Sequence, residues 1–233
     1  MRFWILLFLS AELIAKSGID LYKINESVYV HTTYKQINGY DTPSNGLLVI
    51  SSEGIILIDT PWDDEQTVEL IEVAKKNFNK EIVLAIISHA HEDRIGGINT
   101  LLENKIKTIG YKLTAIKAKE LGYKEPACFY REDTSIVVGS TLVNVFYPGP
   151  AHTVDNIVIW LSLERILFGG CMIKSLMSES LGNVSDADVN EWPNSISKLL
   201  TKYDDAEIVV PGHGKWGGKS LIHHTLSLLK QKK

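Results

Sequence analysis

The sequence has two cysteines in 233 residues, Cys128 and Cys171, and no C-x-x-C pair. That excludes a disulfide-built scaffold and a structural zinc finger, which need several cysteines at short spacing. It has no apolar run of the ~20 residues that cross a bilayer as a helix. It also lacks an excess of basic residues: 24 Lys and Arg stand against 28 Asp and Glu, a formal charge of −4. Nucleic acid is therefore not an expected partner, since its phosphates call for a basic face. No low-complexity segment, no repeat at solenoid periods and no Pro/Gly/Ser-rich linker divides the chain. What is present is a globular composition, 45% hydrophobic, enough for a sizeable core.

The N-terminus differs in character. Arg2 precedes the apolar run Phe3 to Leu9, and small residues follow near Ala15-Lys16-Ser17. Residues 1–17 resemble a short secretory signal peptide, cleaved between Ala11 and Gly18. This leaves 18–233 as a single domain with no stable membrane insertion. Glu12 is awkward beside the apolar run, and the alternative is a hydrophobic N-terminal strand or helix.

Apolar β-branched runs mark strands. They are "SVYVHTTY", two strands in "GLLVISSEGIILIDT" around the turn Ser52-Glu53-Gly54, "EIVLAIIS", "TLVNVFYPG", "NIVIWL", "RILFGG" and "AEIVVPGHG". Helices are expected over "DDEQTVELIEVAKKNF", with Val68, Ile71, Ala74 and Phe78 as its apolar stripe, around "GGINTLLEN", over "LTAIKAKELGY", from Trp192 to Tyr203, and over "SLIHHTLSLLK". Strands followed by helices, twice over, predict two similar halves packed sheet to sheet with helices outside.

Seven histidines fall into two groups. His31 lies inside a strand and His223 and His224 inside a helix, settings that suit packed or solvated residues. The other four lie just beyond strands: His89 and His91 in "ISHAHEDRIGG", His152 in "FYPGPAHT", and His213 in "VVPGHG". Asp93 and Cys171 occupy equivalent strand-end loops, where scaffolds present chemistry. Cys128 has no such setting and reads as incidental. Imidazole, carboxylate and thiolate together suit zinc. His89 and His91 can reach one ion from an extended segment, and His152 could complete a three-histidine set. Asp93 can serve an adjacent ion with Cys171 and His213.

These residues carry a family resemblance. "HAHEDRIGG", "PGPAHTVDN", "FGGCMIKS", "LGNVSDADVNEW" and "VPGHGK" resemble the class B metallo-β-lactamases, above all the two-zinc subclass with a three-histidine and an Asp-Cys-His site, of the Bacillus type. The similarity runs in order from about Val28 to the last helix. It implies a four-layer αβ/βα sandwich and two Zn²⁺ per chain. His89, His91 and His152 then match the first site, and Asp93, Cys171 and His213 the second. Lys174 matches the lysine that pairs with the antibiotic carboxylate, and Asn183 the asparagine near the β-lactam carbonyl. Arg94 stands where related hydrolases acting on thioesters or RNA have a further histidine; here it becomes a cation near the thiolate. Asp59 becomes an acceptor for a ligand histidine. "KQINGYDTPSNG" matches a mobile hairpin over the site, with Ile37 and Tyr40 as its apolar contacts.

The implied activity is hydrolysis of penicillins, cephalosporins and carbapenems by metal-activated water, giving antibiotic resistance. The protein would be a monomer in the periplasm, or secreted if its host lacks an outer membrane. Two rivals are a hydrolase of the same fold acting on a lactone or thioester and a non-enzymatic zinc protein. The segment "SISK", Ser195 to Lys198, contains S-x-x-K, but K-T-G and S-D-N are absent, so a serine nucleophile is not expected.

Overall fold

Residues 82–87, Ile-Val-Leu-Ala-Ile-Ile, are apolar without alternation because both faces of their strand are covered. Leu84 and Ile86 point into one buried cluster, while Ala85 and Ile87 point into another. The same division governs the whole chain. The computed structural model of the protein describes residues 18–130 and 133–231. The signal peptide expected of residues 1–17 lies outside the described residues, as does the side chain of Cys128.

Seven strands form the first sheet, adjacent in chain order: β1 (Ile19–Lys23), β2 (Val28–Ile37), β3 (Tyr40–Ile50), β4 (Ile55–Ile58), β5 (Ile82–Ile87), β6 (Lys107–Tyr111) and β7 (Cys128–Tyr130). Pairing is antiparallel from β1 to β4 and parallel from β4 to β7. Parallel neighbours need a crossover. It is supplied by α1 (Asp64–Phe78), by α2 (Glu92–Ile95) with α3 (Ile98–Glu103), and by α4 (Lys112–Glu120). The second sheet runs β8 (Thr134–Val138), β9 (Thr141–Phe146), β10 (Val158–Leu161), β11 (Ile166–Gly170) and β12 (Ile208–Pro211). It too is antiparallel until its last pair, β11–β12, which is parallel. There α5 (Trp192–Lys202) makes the crossover, and α6 (Ser220–Gln231) follows.

Val30, Leu47, Ile58 and Ile86 of the first sheet meet Val143, Ile159, Phe168 and Val210 of the second in one inter-sheet core. The outer face of the first sheet packs on α1, α3 and α4 through Leu57, Leu70 and Leu101. The outer face of the second packs on α5 and α6 through Val158, Ile196 and Ile222. This is the αβ/βα sandwich of two similar halves.

Three local features differ from the sequence reading. The buried stripe of α1 is Thr67, Leu70 and Ala74, and Val68 is 46% exposed; the helix is turned so that Leu70, rather than Val68, faces the sheet. The helix expected around "GGINTLLEN" is α3, but a further short helix, α2, precedes it and carries Asp93, which was expected on a loop; the two are separated at Gly96-Gly97, where a Cβ would collide with Trp62 and Thr67. Strands β1, β6, β7 and β8 were not expected at all.

The β2–β3 hairpin extends to a two-residue turn, Asn38-Gly39, with φ of 53° and 82°. Two consecutive positive φ values define the tight turn that Asn-Gly favours. The strand pairing beside it runs up to Ile37↔Tyr40.

Candidate metal centre

Four loops at one end of the sandwich bring the predicted residues together, and buried polar residues tie them to one another. Asp59, at the end of β4, adopts a φ of 60° and accepts the Ser88 N–H at 2.6 Å and the Ser88 hydroxyl at 2.7 Å. This fixes the exit of β5, from which His89 and His91 project. Asp155 accepts the Ala90 N–H at 3.0 Å, joining that loop to the one carrying His152. The His152 loop is braced by Asn156, which accepts from Thr153 N–H and donates to Gly149 O. Gly212 N–H donates to Gly170 O at 2.7 Å, placing the loops of Cys171 and His213 side by side.

The imidazoles of His89, His91 and His152 stand edge to face around a common point, with ring centres 4.9, 5.3 and 5.1 Å apart. Asp93 Oδ2 lies 3.2 Å from His213 Nε2 and 3.5 Å from Cys171 Sγ, and Cys171 Sγ lies 3.3 Å from His213 Nε2. Donor atoms of Asp93, Cys171 and His213 fall within 4.8 Å of one another; so do those of His89, His91 and Asp93, and those of His89, His152 and Cys171. The six expected ligands thus form one continuous cluster, with Asp93 and Cys171 shared between its two ends.

The donor set fits a metal on three counts. His89 Nε2 and His152 Nδ1 are buried with no protein partner, a costly state for a polar atom unless something else satisfies it. Three of the rings are held through their other nitrogen: His89 Nδ1 by Ser88 Oγ at 3.2 Å, His91 Nε2 by Asp186 at 3.1 Å, and His213 Nδ1 by Pro43 O at 2.6 Å. That is how a ligand histidine is oriented. Protonation is the third. Burial holds His89 and His152 well below the usual imidazole range, and the neighbouring histidines, with Arg94 beside His89 and Lys174 beside His152, add to it. They are therefore neutral, the metal-binding form. Burial pushes Asp93 up, but Arg94 and His213 outweigh it and keep the carboxylate ionised. His213 is pushed down by burial and, more strongly, up to about 10 by Cys171 and Asp93. A metal entering there displaces that proton.

Arg94 is fully buried, as expected of a cation beside the thiolate. Its Nη2 lies 2.7 Å from Asp93 Oδ2, its Nη1 3.4 Å from Asp59 Oδ2, and it donates to the carbonyls of Asn45 and Gly212. Burial raises the Asp59 carboxyl, Arg94 and Ser88 pull it back, and the result is about 6. Asp59 does not accept directly from a ligand histidine. Ser88 stands between Asp59 and His89, because the chain turns at Ser88 before the ring can reach the carboxylate.

The cluster opens into a cavity of about 510 Å³, whose walls include Ile37, Trp62, Lys174 and Asn183. Lys174 is buried, its Nζ lies 5.5 Å from the centre of the Trp192 ring, and among the described residues it has no carboxylate partner. Burial lowers its pKa, as for a cation awaiting an anion. Asn183 lies at the exposed rim, its Oδ1 accepting from Ser185 N–H at 3.0 Å. Ile37 lines the cavity. Tyr40 is 77% exposed and absent from its walls, at the hairpin tip next to the Asn38-Gly39 turn.

Family comparison agrees with this geometry. Residues 39–213 match the model of the metallo-beta-lactamase superfamily. The chain belongs to that family. A metallo-beta-lactamase type 2 of Bacillus sp. (strain 170) is 49% identical over 91% of this chain and 82% of its own. One of Bacillus cereus is 48% identical over 91% and 83%. The solved metallo-beta-lactamase of Pontibacter korlensis superposes with a TM-score of 0.89 at 40% identity, covering 91% of this chain and 99% of that one.

Within this family frame, Asp186 and Trp62 are the residues that sequence reasoning missed. Asp186 is 95 positions from the His91 ring it holds, so no local spacing announced it, although it shares the segment of Asn183. The "SISK" segment is structural: Ser195 Oγ donates to Pro150 O and Lys198 Nζ to Pro148 O, each at 2.8 Å, bracing the His152 loop. His31 is buried in β2 and His223 exposed on α6, and neither belongs to a donor group among the described residues.

Proposed function

We propose that the protein hydrolyses the amide bond of β-lactam antibiotics with two zinc ions held by His89, His91 and His152 and by Asp93, Cys171 and His213. The observation that carries this reading is a six-donor cluster with orphaned buried imidazole nitrogens, opening into a cavity that holds the unpaired Lys174 ammonium. Zinc bound there supplies Lewis acidity and a water nucleophile at neutral pH.

The chain's own residues do the rest. Asp93, ionised and pinned by Arg94, accepts a hydrogen bond from the attacking water and fixes its direction. Lys174 takes the substrate carboxylate, with Trp192 beneath its stem. The Asn183 amide donates to the lactam carbonyl oxygen, where negative charge develops. Ile37, on the hairpin, covers the apolar part of the substrate. Water adds across the C–N bond, the ring nitrogen leaves with a proton, and no side chain becomes acylated.

Residues 1–17 direct export to the periplasm, or to the medium where the host lacks an outer membrane; the mature chain works as a monomer. Among the described residues, no helix is long and apolar enough to cross a membrane.

The test is turnover of nitrocefin and a carbapenem against turnover of a lactone and a thioester by the same preparation. The expected result is β-lactam hydrolysis with the other two near background. The reverse ranking overturns the reading, and no turnover of any of them makes this a non-catalytic zinc protein.

A separate prediction concerns Lys174. Lys174→Ala should raise KM for substrates carrying a ring carboxylate by roughly ten- to a hundredfold, since a charge-assisted pair at a partly wet site contributes about 1–3 kcal/mol. Steady-state kinetics checks it, and unchanged KM and kcat remove Lys174 from the site.

A further inference from the structure

The arm of the β2–β3 hairpin has two faces. Ile37 and Thr42 face the metal-centre cavity. Alternation along each strand turns Tyr34 and Pro43, which pair across the strands, to the other side. There a second cleft of about 440 Å³ opens, with Tyr22 and Lys215 in its walls beside Trp216 and Asn45. Its size falls within the range of about 300–1,000 Å³ usual for small-molecule sites.

Nothing in the hydrolytic site uses this cleft, yet it is built. The rings of Tyr22 and Trp216 lie 5.5 Å apart at 57°, an open wedge. The Tyr34 hydroxyl donates to Asp20 at 2.7 Å and the Tyr22 hydroxyl to the same carboxylate at 3.3 Å. Both phenols thereby spend their polar ends on Asp20 and leave aromatic faces for a ligand. The charged group at the mouth is Lys215, exposed and without an ion-pair partner among the described residues.

The cleft shares its back wall with the metal centre. Pro43, in its lining, accepts the His213 Nδ1–H at 2.6 Å. Asn45 accepts from Arg94 through its carbonyl, and its side-chain amide donates to Pro211 O at 3.0 Å and Gly214 O at 2.7 Å, spanning the loop that carries His213. A ligand that shifts Pro43 or Asn45 acts on the orientation of one metal ligand and on the cation beside another.

We propose that this cleft is a second ligand site, for a planar aromatic anion, coupled to the hydrolytic site through Pro43 and Asn45. The aromatic wedge takes the ring system and Lys215 the charge.

The probe is 8-anilinonaphthalene-1-sulfonate, titrated into the zinc-loaded protein by fluorescence. One saturable site is expected. Tyr22→Ala and Lys215→Glu, both on exposed positions, should each weaken it roughly five- to tenfold, while Lys174→Ala leaves it unchanged. In nitrocefin assays the dye should lower kcat by roughly fivefold, the low end of ordinary coupling between sites, without raising KM. That kinetic arm rests on the β-lactamase reading, whereas the binding arm does not. Absent nitrocefin turnover with intact dye binding would count against the reading of the metal centre alone. Dye affinity indifferent to Tyr22→Ala and Lys215→Glu, or lost in Lys174→Ala, overturns the site. Competition with nitrocefin does the same, and dye bound in the cleft with kcat unmoved overturns the coupling.

Discussion

Cys171→Ser should leave the protein folded with one tight zinc equivalent and one much weaker. The sulfur is shared between two of the donor groups, while the third, His89, His91 and Asp93, is complete without it. A hydroxyl is a far poorer donor to zinc than a thiolate. Loss of a residue that merely orients a ligand costs about 10–100-fold in metal affinity, and loss of a ligand should exceed that. Isothermal titration with zinc should therefore split into two well-separated steps where the parent shows two of more similar strength. Hydrolysis should collapse at low zinc and recover in part as zinc is raised. Cys171 is a free thiol, so no disulfide confuses the result, and Cys128→Ser should change neither quantity. Identical behaviour of the two serine variants would contradict the assignment.

Arg94→Met should have the largest effect on stability. Arg94 is a cation that two buried carboxylates, Asp93 and Asp59, share. Met keeps most of the volume, so the change isolates charge from cavity. Removing one member of a buried ion pair costs about 3–5 kcal/mol, because a charge is stranded without water. Urea unfolding of the chelated protein at pH 7 should show a loss of that size. The deficit should shrink as pH falls. In the variant the stranded carboxyls have raised folded-state pKa values, so the folded state takes up protons before the unfolded chain does and gains stability toward acid. Adding Asp59→Asn to Arg94→Met should recover part of the loss at neutral pH, a coupling that a double-mutant cycle reads directly. A deficit below about 1 kcal/mol, or one that does not depend on pH, would show that Arg94 is not the counter-charge of this cluster.

Much of this arrangement was legible in the chain itself, for a physical reason. Strands β4, β5, β10 and β11 are buried on both faces, so their apolar runs are uninterrupted, and the loops of the candidate metal centre begin where those runs end. A histidine or cysteine just past such a strand stands out. The strands that escaped notice carry the weaker signal of an edge or a short segment. β8 is the last strand of its sheet and alternates between exposed and half-buried residues. β6 reads Lys-Thr-Ile-Gly-Tyr, with a polar start and a glycine. Val68 misled because α1 offers two apolar lines and only packing chooses between them; the sheet selects Leu70 and Ala74. Asp59 was expected to accept from a ligand histidine, but the Ser88 hydroxyl intervenes between it and His89, a matter of side-chain reach that no spacing encodes. Asp186 meets His91 only once the second sheet is folded against the first.

The central claim, that zinc held by these six side chains performs the hydrolysis, is tested most directly by metal removal and return. Nitrocefin turnover should vanish when the protein is dialysed against dipicolinate or EDTA. It should return with added Zn²⁺ as the second equivalent fills, and clavulanate, which needs a serine nucleophile, should leave it untouched. Full turnover in protein shown by elemental analysis to be free of metal would contradict the account.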